Sequence, residues 1–186
     1  MNIEIGNIVR QRLLSTAIPV ELSGQNNVQL NATVNTAIDS IVKELTIVAG
    51  DSNGRQRLYE EASQVGSPPL SERLLDSQQR DAAQQEARVQ LQTIVGTEGD
   101  QYLVDTLCKE CELTTSQASD MLAFVSPGVI ETLGTELRNG SVENSALGVA
   151  TLLNVDALDA AETHVESVDN IDACLLYTSP SPRDRG

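Results

Sequence analysis

Basic residues are scarce in this chain: 12 Lys and Arg stand against 27 Asp and Glu over 186 residues, a formal net charge of −15. With a pI near 4.2, such a surface repels nucleic acid and anionic membranes, and no local basic patch offsets the imbalance. Cysteine is scarce as well, with 3 residues. Setting aside Cys174 in the C-terminal tail leaves Cys108 and Cys111, too few for a disulfide framework in a chain of this size. The N-terminal Met1-Asn2-Ile3-Glu4-Ile5-Gly6 has no basic start followed by an apolar run. No later stretch approaches the ~18 consecutive apolar residues of a membrane helix. These absences point to a soluble cytoplasmic protein with no nucleic-acid and no membrane partner. Aromatics make up 2% and hydrophobic residues 40%, and the length suits one domain or two small ones with a sizeable core.

The tail from Cys174 to Gly186 differs in composition from everything before it. Over eleven residues, Cys174-Leu175-Leu176-Tyr177-Thr178-Ser179-Pro180-Ser181-Pro182-Arg183-Asp184, it resembles the adaptor of transposase-based sequencing libraries translated in one frame. It is therefore read as a non-native, disordered tail and excluded from the fold. Without it, 10 Lys and Arg face 26 Asp and Glu, so residues 1–173 carry −16. The natural sequence is expected to continue past Ala173.

Convincing two-residue alternation is missing, whereas helical periodicity recurs throughout, so the fold class is all-α, compact and multihelical. Leu30, Val34, Ala37, Ile38, Ile41, Val42, Leu45 and Val48 recur at steps of three and four and share one helix face. Gly50 fits a left-handed cap at the end of that helix. Asp51, Ser52 or Asn53 caps the next one, which presents Leu58, Ala62 and Val65. Gly66-Ser67-Pro68-Pro69 reads as a linker between two halves.

Residues 71–95 carry a thin stripe of Leu74, Leu75, Ala83, Ala87, Leu91, Ile94 and Val95, fitting one partly exposed helix or two short ones ended by Gly96 to Gly99. A further helix buries Leu103, Val104, Leu107, Cys108 and Cys111. Thr114 with Gln117 predicts a capping box, followed by Ala118, Met121, Leu122 and Val125. Ser126-Pro127 predicts a new helix start, because proline loses no hydrogen bond at the first helical position. That helix presents Val129, Ile130, Leu133 and Leu137 and stops at Asn139-Gly140. A short helix with Leu147, Ala150 and Leu153 follows.

The expected organisation is a first helical unit over 1–66, a linker and connecting helix over 67–98 and a second helical unit over 99–154. An acidic, helical, truncated segment over 155–173 precedes the adaptor-like tail over 174–186. A shift of 88 positions lays Leu30, Val34, Ala37, Ile41, Val42 and Leu45 over Ala118, Leu122, Val125, Val129, Ile130 and Leu133. Two related helical units are expected on that ground.

The second half resembles a known family in the runs Leu91-Gln92-Thr93-Ile94-Val95-Gly96, Leu103-Val104-Asp105-Thr106-Leu107 and Leu113-Thr114-Thr115-Ser116-Gln117-Ala118-Ser119. Met121-Leu122 and Ser126-Pro127-Gly128-Val129-Ile130-Glu131-Thr132-Leu133-Gly134 complete the pattern. It is similar to the YidB-like family of bacterial proteins of unknown function, whose members show a Gly-closed helix, a "GLS"-like segment before a capped helix and an "LAPLVLGxLG" helix. Glu112 or Cys111 stands where that family prefers glycine, and Ser126-Pro127-Gly128-Val129-Ile130 replaces Ala-Pro-Leu-Val-Leu. The first half, from about Ile18 to Ser63, resembles the family's other unit. The resemblance implies a compact multihelical fold and transfers no catalytic residues.

Cys108-Lys109-Glu110-Cys111 is the one motif with chemical content. A redox pair needs its first thiol at a helix N-terminus, where the dipole and free amides favour thiolate. Here the pair falls near a helix end, flanked by Glu110 and Glu112, whose charges oppose thiolate formation. Zinc needs further N or S ligands, and the sole His164 lies far along an acidic segment. Two small apolar side chains three apart on a core-facing side account for the spacing. A thiol redox or metal-binding protein using Cys108 and Cys111 is the alternative. Glu60-Glu61 and Glu110-Glu112 read as solvated acids, and no glycine group forms a phosphate loop of Walker or dinucleotide type. No catalytic, cofactor-binding or metal-binding residue is assigned, and no cofactor is expected.

Charge is uneven along the chain. Residues 1–88 hold 11 acids and 8 bases, whereas residues 89–173 hold 15 acids and 2 bases. The expected function is a non-enzymatic interaction or scaffold module whose acidic surface meets a protein with a basic surface, or which self-associates.

Overall fold

Leu30, Val34, Ala37, Ile38, Ile41 and Leu45 are buried, as their spacing predicts, along one side of a 24-residue helix. In the computed structural model this helix is one of seven among the described residues, which are 5–14, 27–64 and 66–155. In chain order they are α1 (Ile5–Leu14), α2 (Asn27–Gly50), α3 (Ser52–Ser63), α4 (Leu70–Arg73), α5 (Arg80–Cys111), α6 (Thr115–Arg138) and α7 (Ala146–Leu153). No strand occurs among the described residues, so the all-α class holds. Expectations for Val65, for His164 and the acidic segment over 155–173 past its first residue, and for the tail over 174–186 lie outside them.

The helix ends follow from local chemistry. Asp51 is the cap of α3, accepting from the Gly54 N–H at 2.9 Å. Thr114 and Gln117 close a reciprocal capping box at the start of α6. Ser145 caps α7 by accepting from the Gly148 N–H at 3.3 Å. Gly140, in the left-handed region at φ 73°, follows α6.

α6 is the centre of the fold. It packs against each of the other six helices, and every residue from Met121 to Pro127 is buried. All seven helices contribute to one compact unit with one aliphatic core, built on side chains such as Ile38, Leu45, Leu91, Leu107, Met121 and Ile130. The segment 66–69 therefore joins α3 to α4 at the surface of one unit rather than separating two bodies. Ion pairs tie neighbouring helices, among them Arg10 with Asp39, Arg73 with Glu86 at 2.7 Å, and Arg88 with Asp120 at 2.8 Å.

The symmetry read from the 88-residue shift extends to whole helices. α2 and α6 are each 24 residues long. Asn27 and Gly50 lie 88 positions before Thr115 and Arg138, the ends of α6. The helix pairing is also reciprocal: α1 packs on α6 as α5 packs on α2, and α3 packs on α6 as α7 packs on α2. α3 and α7 meet each other, as do α2 and α6.

Four local expectations are corrected. Ser126-Pro127 does not start a helix, because Pro127 lies inside α6. The missing N–H leaves the Ala123 carbonyl without its helical donor, at a cost of about 3 kcal/mol. Burial of the continuous apolar surface on both sides of the proline offsets that cost. Gly50 keeps a negative φ, and the chain turns at Asp51 in extended geometry instead. Of the Gly96 to Gly99 pair, Gly96 alone breaks the helix, at φ 76° and ψ 175°, and Gly99 is buried within the resumed helix. Leu147 faces outward, while Val149 and Leu152 fill the core side of α7 alongside Ala150 and Leu153.

Candidate functional site

The cysteine pair occupies the last turn of α5. Cys108 and Cys111 are half-buried and packed against the core cluster. Glu112 then takes the left-handed conformation, φ 55°, that ends the helix. This is a conformation glycine adopts without steric cost. Cys111 also borders an open cavity of about 240 Å³ with Thr33, Thr36, Glu110 and Glu112. Among the described residues no three His, Cys, Asp or Glu side chains come together as a metal site. The acid pair Glu60-Glu61 is split between partners: Glu60 accepts from Gln56 Nε2 at 2.8 Å, and Glu61 from Gln90 Nε2 at 3.2 Å.

Two carboxylates escaped the sequence reading. Glu44 of α2 lies over Gly99 of α5, where a Cβ would come within 2.7 Å of its Oε1. Burial raises the Glu44 carboxyl, with Lys43 opposing the effect, and burial likewise raises Asp100, opposed by Arg88. Glu44 borders the Ile41–Leu45 stripe, and that position was the available signal. Its consequence depends on how closely α5 approaches, which Gly99 permits.

Past the Gly96 break, α5 turns a stripe to solvent. Glu98, Tyr102, Asp105 and Lys109, at steps of four, three and four, are exposed, as is Glu112 just past the helix end. Tyr102 is 47% exposed. Asp105 accepts from Gln101 Nε2 at 2.8 Å, which holds its carboxylate one turn from the ring. An aromatic face set between acids attracts a cationic side chain both by charge and through the ring quadrupole.

A second feature is a cavity of about 280 Å³ between α1, α4 and α6. Val9, Leu13 and Phe124, the one Phe of the chain, supply apolar wall, and Arg12, Ser71, Glu72 and Glu131 supply polar groups. Both oxygens of Glu131 are held by Ser71, through its N–H at 3.0 Å and its hydroxyl. This pairing fixes the carboxylate and docks α4 on α6. No helix among the described residues is long and apolar enough to cross a membrane. Compared with family models, curated proteins and solved structures, this chain matches none.

Proposed function

We propose that this chain is a non-enzymatic, YidB-like interaction module of the bacterial cytoplasm that binds a basic protein segment. The observation that carries this reading is the half-exposed Tyr102 set between Glu98 and Asp105 on the outer face of α5. Partner arginines stack on the ring while their charge is met by the flanking carboxylates. The excess of acids over bases after residue 88 steers a basic partner toward this half of the molecule. Titration of the full chain with a fluorescent arginine-rich peptide tests it. Tyr102→Ala is expected to weaken binding by about fivefold, the order of one cation–π contact. Equal affinity of the variant and the parent would remove α5 from the interface.

A second reading, thiol redox or metal binding through Cys108 and Cys111, draws its support from the place of Cys111 beside an open cavity. Alkylation kinetics of the folded chain separate the two readings. Two unreactive thiols would end the redox reading.

A further inference from the structure

We infer that the segment bound along α5 is itself an α-helix, lying alongside α5 with a cation at every seventh position and an acid where it passes Lys109. This rests on the reading of that face given above and adds the conformation and register of the partner. Glu98, Tyr102, Asp105 and Lys109 lie on the side of α5 opposite Leu103, Val104 and Leu107, which are buried. At about 100° of rotation per residue the four exposed side chains stay within an arc of about 60°. A row of this kind runs nearly parallel to the helix axis, along the path by which two helices meet side by side.

Spacing selects the conformation of the partner. Glu98 and Asp105 are seven residues apart, and so are Tyr102 and Lys109. Within a helix that separation is about 10.5 Å along the axis. A partner helix repeats its facing side chains at the same interval, so cations seven apart meet successive acids in step. In an extended segment, side chains on one face recur at about 6.7 Å or about 13.4 Å, and both intervals miss the acids. A polyproline helix repeats at about 9.3 Å and falls behind by about 1.2 Å at each turn of the pattern.

Lys109 sets the register. It is exposed on the same row and repels a cation placed directly opposite, so a uniformly basic segment fits the stripe less well than one with an acid at that point. Tyr102, one heptad earlier, takes a guanidinium on its ring. A second copy of α5 is a poor occupant. Laid parallel it sets each acid against its own kind, and laid antiparallel about Asp105 it sets Asp105 against Asp105 and Glu98 against Glu112.

The test is fluorescence anisotropy of the full chain with three labelled, alanine-based peptides. The first carries arginine at every seventh position and glutamate at the place facing Lys109, the second has the same composition with the charges spread around the helix, and the third is the first with a proline at its centre. The first peptide is expected to bind about tenfold tighter than either of the others, the order of a few exposed charge contacts, and to gain helical circular dichroism on binding. Lys109→Glu, at an exposed position, is expected to weaken the first peptide and to tighten a version with arginine in place of that glutamate. Equal affinity of the three peptides, or an unchanged order of the two versions in Lys109→Glu, would overturn the helical register while leaving α5 as the interface. Binding by none of the peptides would overturn the interface as well.

Discussion

Glu44 shows how a single residue acquires a property its sequence neighbours do not announce. Its carboxyl lies over Gly99 at the α2–α5 contact, and burial there disfavours the charged form. A carboxyl raised in the fold favours the folded state fully below its unfolded value, and that contribution is lost as pH climbs through the folded value. Glu44→Gln, which removes the ionisation, is therefore expected to raise the unfolding midpoint at pH 7 and to change it little near pH 4, where the parent carboxyl is largely protonated. Thermal unfolding of both proteins across that range checks this. A midpoint difference that is constant with pH, or largest in acid, would contradict the burial argument. The position of Glu44 was legible as the border of a stripe, but its burial was not, because that depends on a glycine fifty-five positions away in another helix.

At the scale of elements, two glycines hold the architecture for different reasons. Gly96 sits at φ 76° and ψ 175°, a region open essentially to glycine alone, with open space where a Cβ would be. Gly96→Ala is expected to destabilise by about 1–3 kcal/mol through the backbone alone. Gly134 has ordinary helical geometry, but a Cβ there would overlap the Ala62 carbonyl oxygen of α3. Gly134→Ala is expected to cost about 1–3 kcal/mol by forcing α3 and α6 apart. Urea unfolding measures both, and the α3–α6 contact, reported by the Leu58 methyl shifts, separates them: it changes in Gly134→Ala and stays in Gly96→Ala. The stripes of α2 and α3, the Thr114 capping box and the stops near Gly96 and Gly140 were readable, because periodicity and capping act locally, whereas α1 was not read as a helix. The continuity of α6 through Pro127 was not. Local chemistry favours a break there, and only the packing of six helices around Met121–Ile130 overrides it.

For the whole molecule, the reciprocal pairing of α1, α2 and α3 with α5, α6 and α7 makes one core from two similar halves. The internal echo was visible as six coinciding apolar positions, yet their partners were not, since each half packs as much on the other as on itself. The same limit explains why the Glu98–Glu112 stripe was seen only as an excess of acid: its exposure required knowing which side of α5 the core takes. The binding of a basic segment proposed for this surface would have a strength that salt screens over a Debye length of ~10 Å at 0.1 M. The most direct test is the affinity of the full chain and of a Glu98→Gln, Asp105→Asn double variant for an arginine-rich peptide, each at about 50 and about 500 mM salt. The expected result is tight, salt-sensitive binding by the parent and weaker, flatter binding by the variant. Identical affinity and identical salt dependence in the two proteins would contradict an α5 interface.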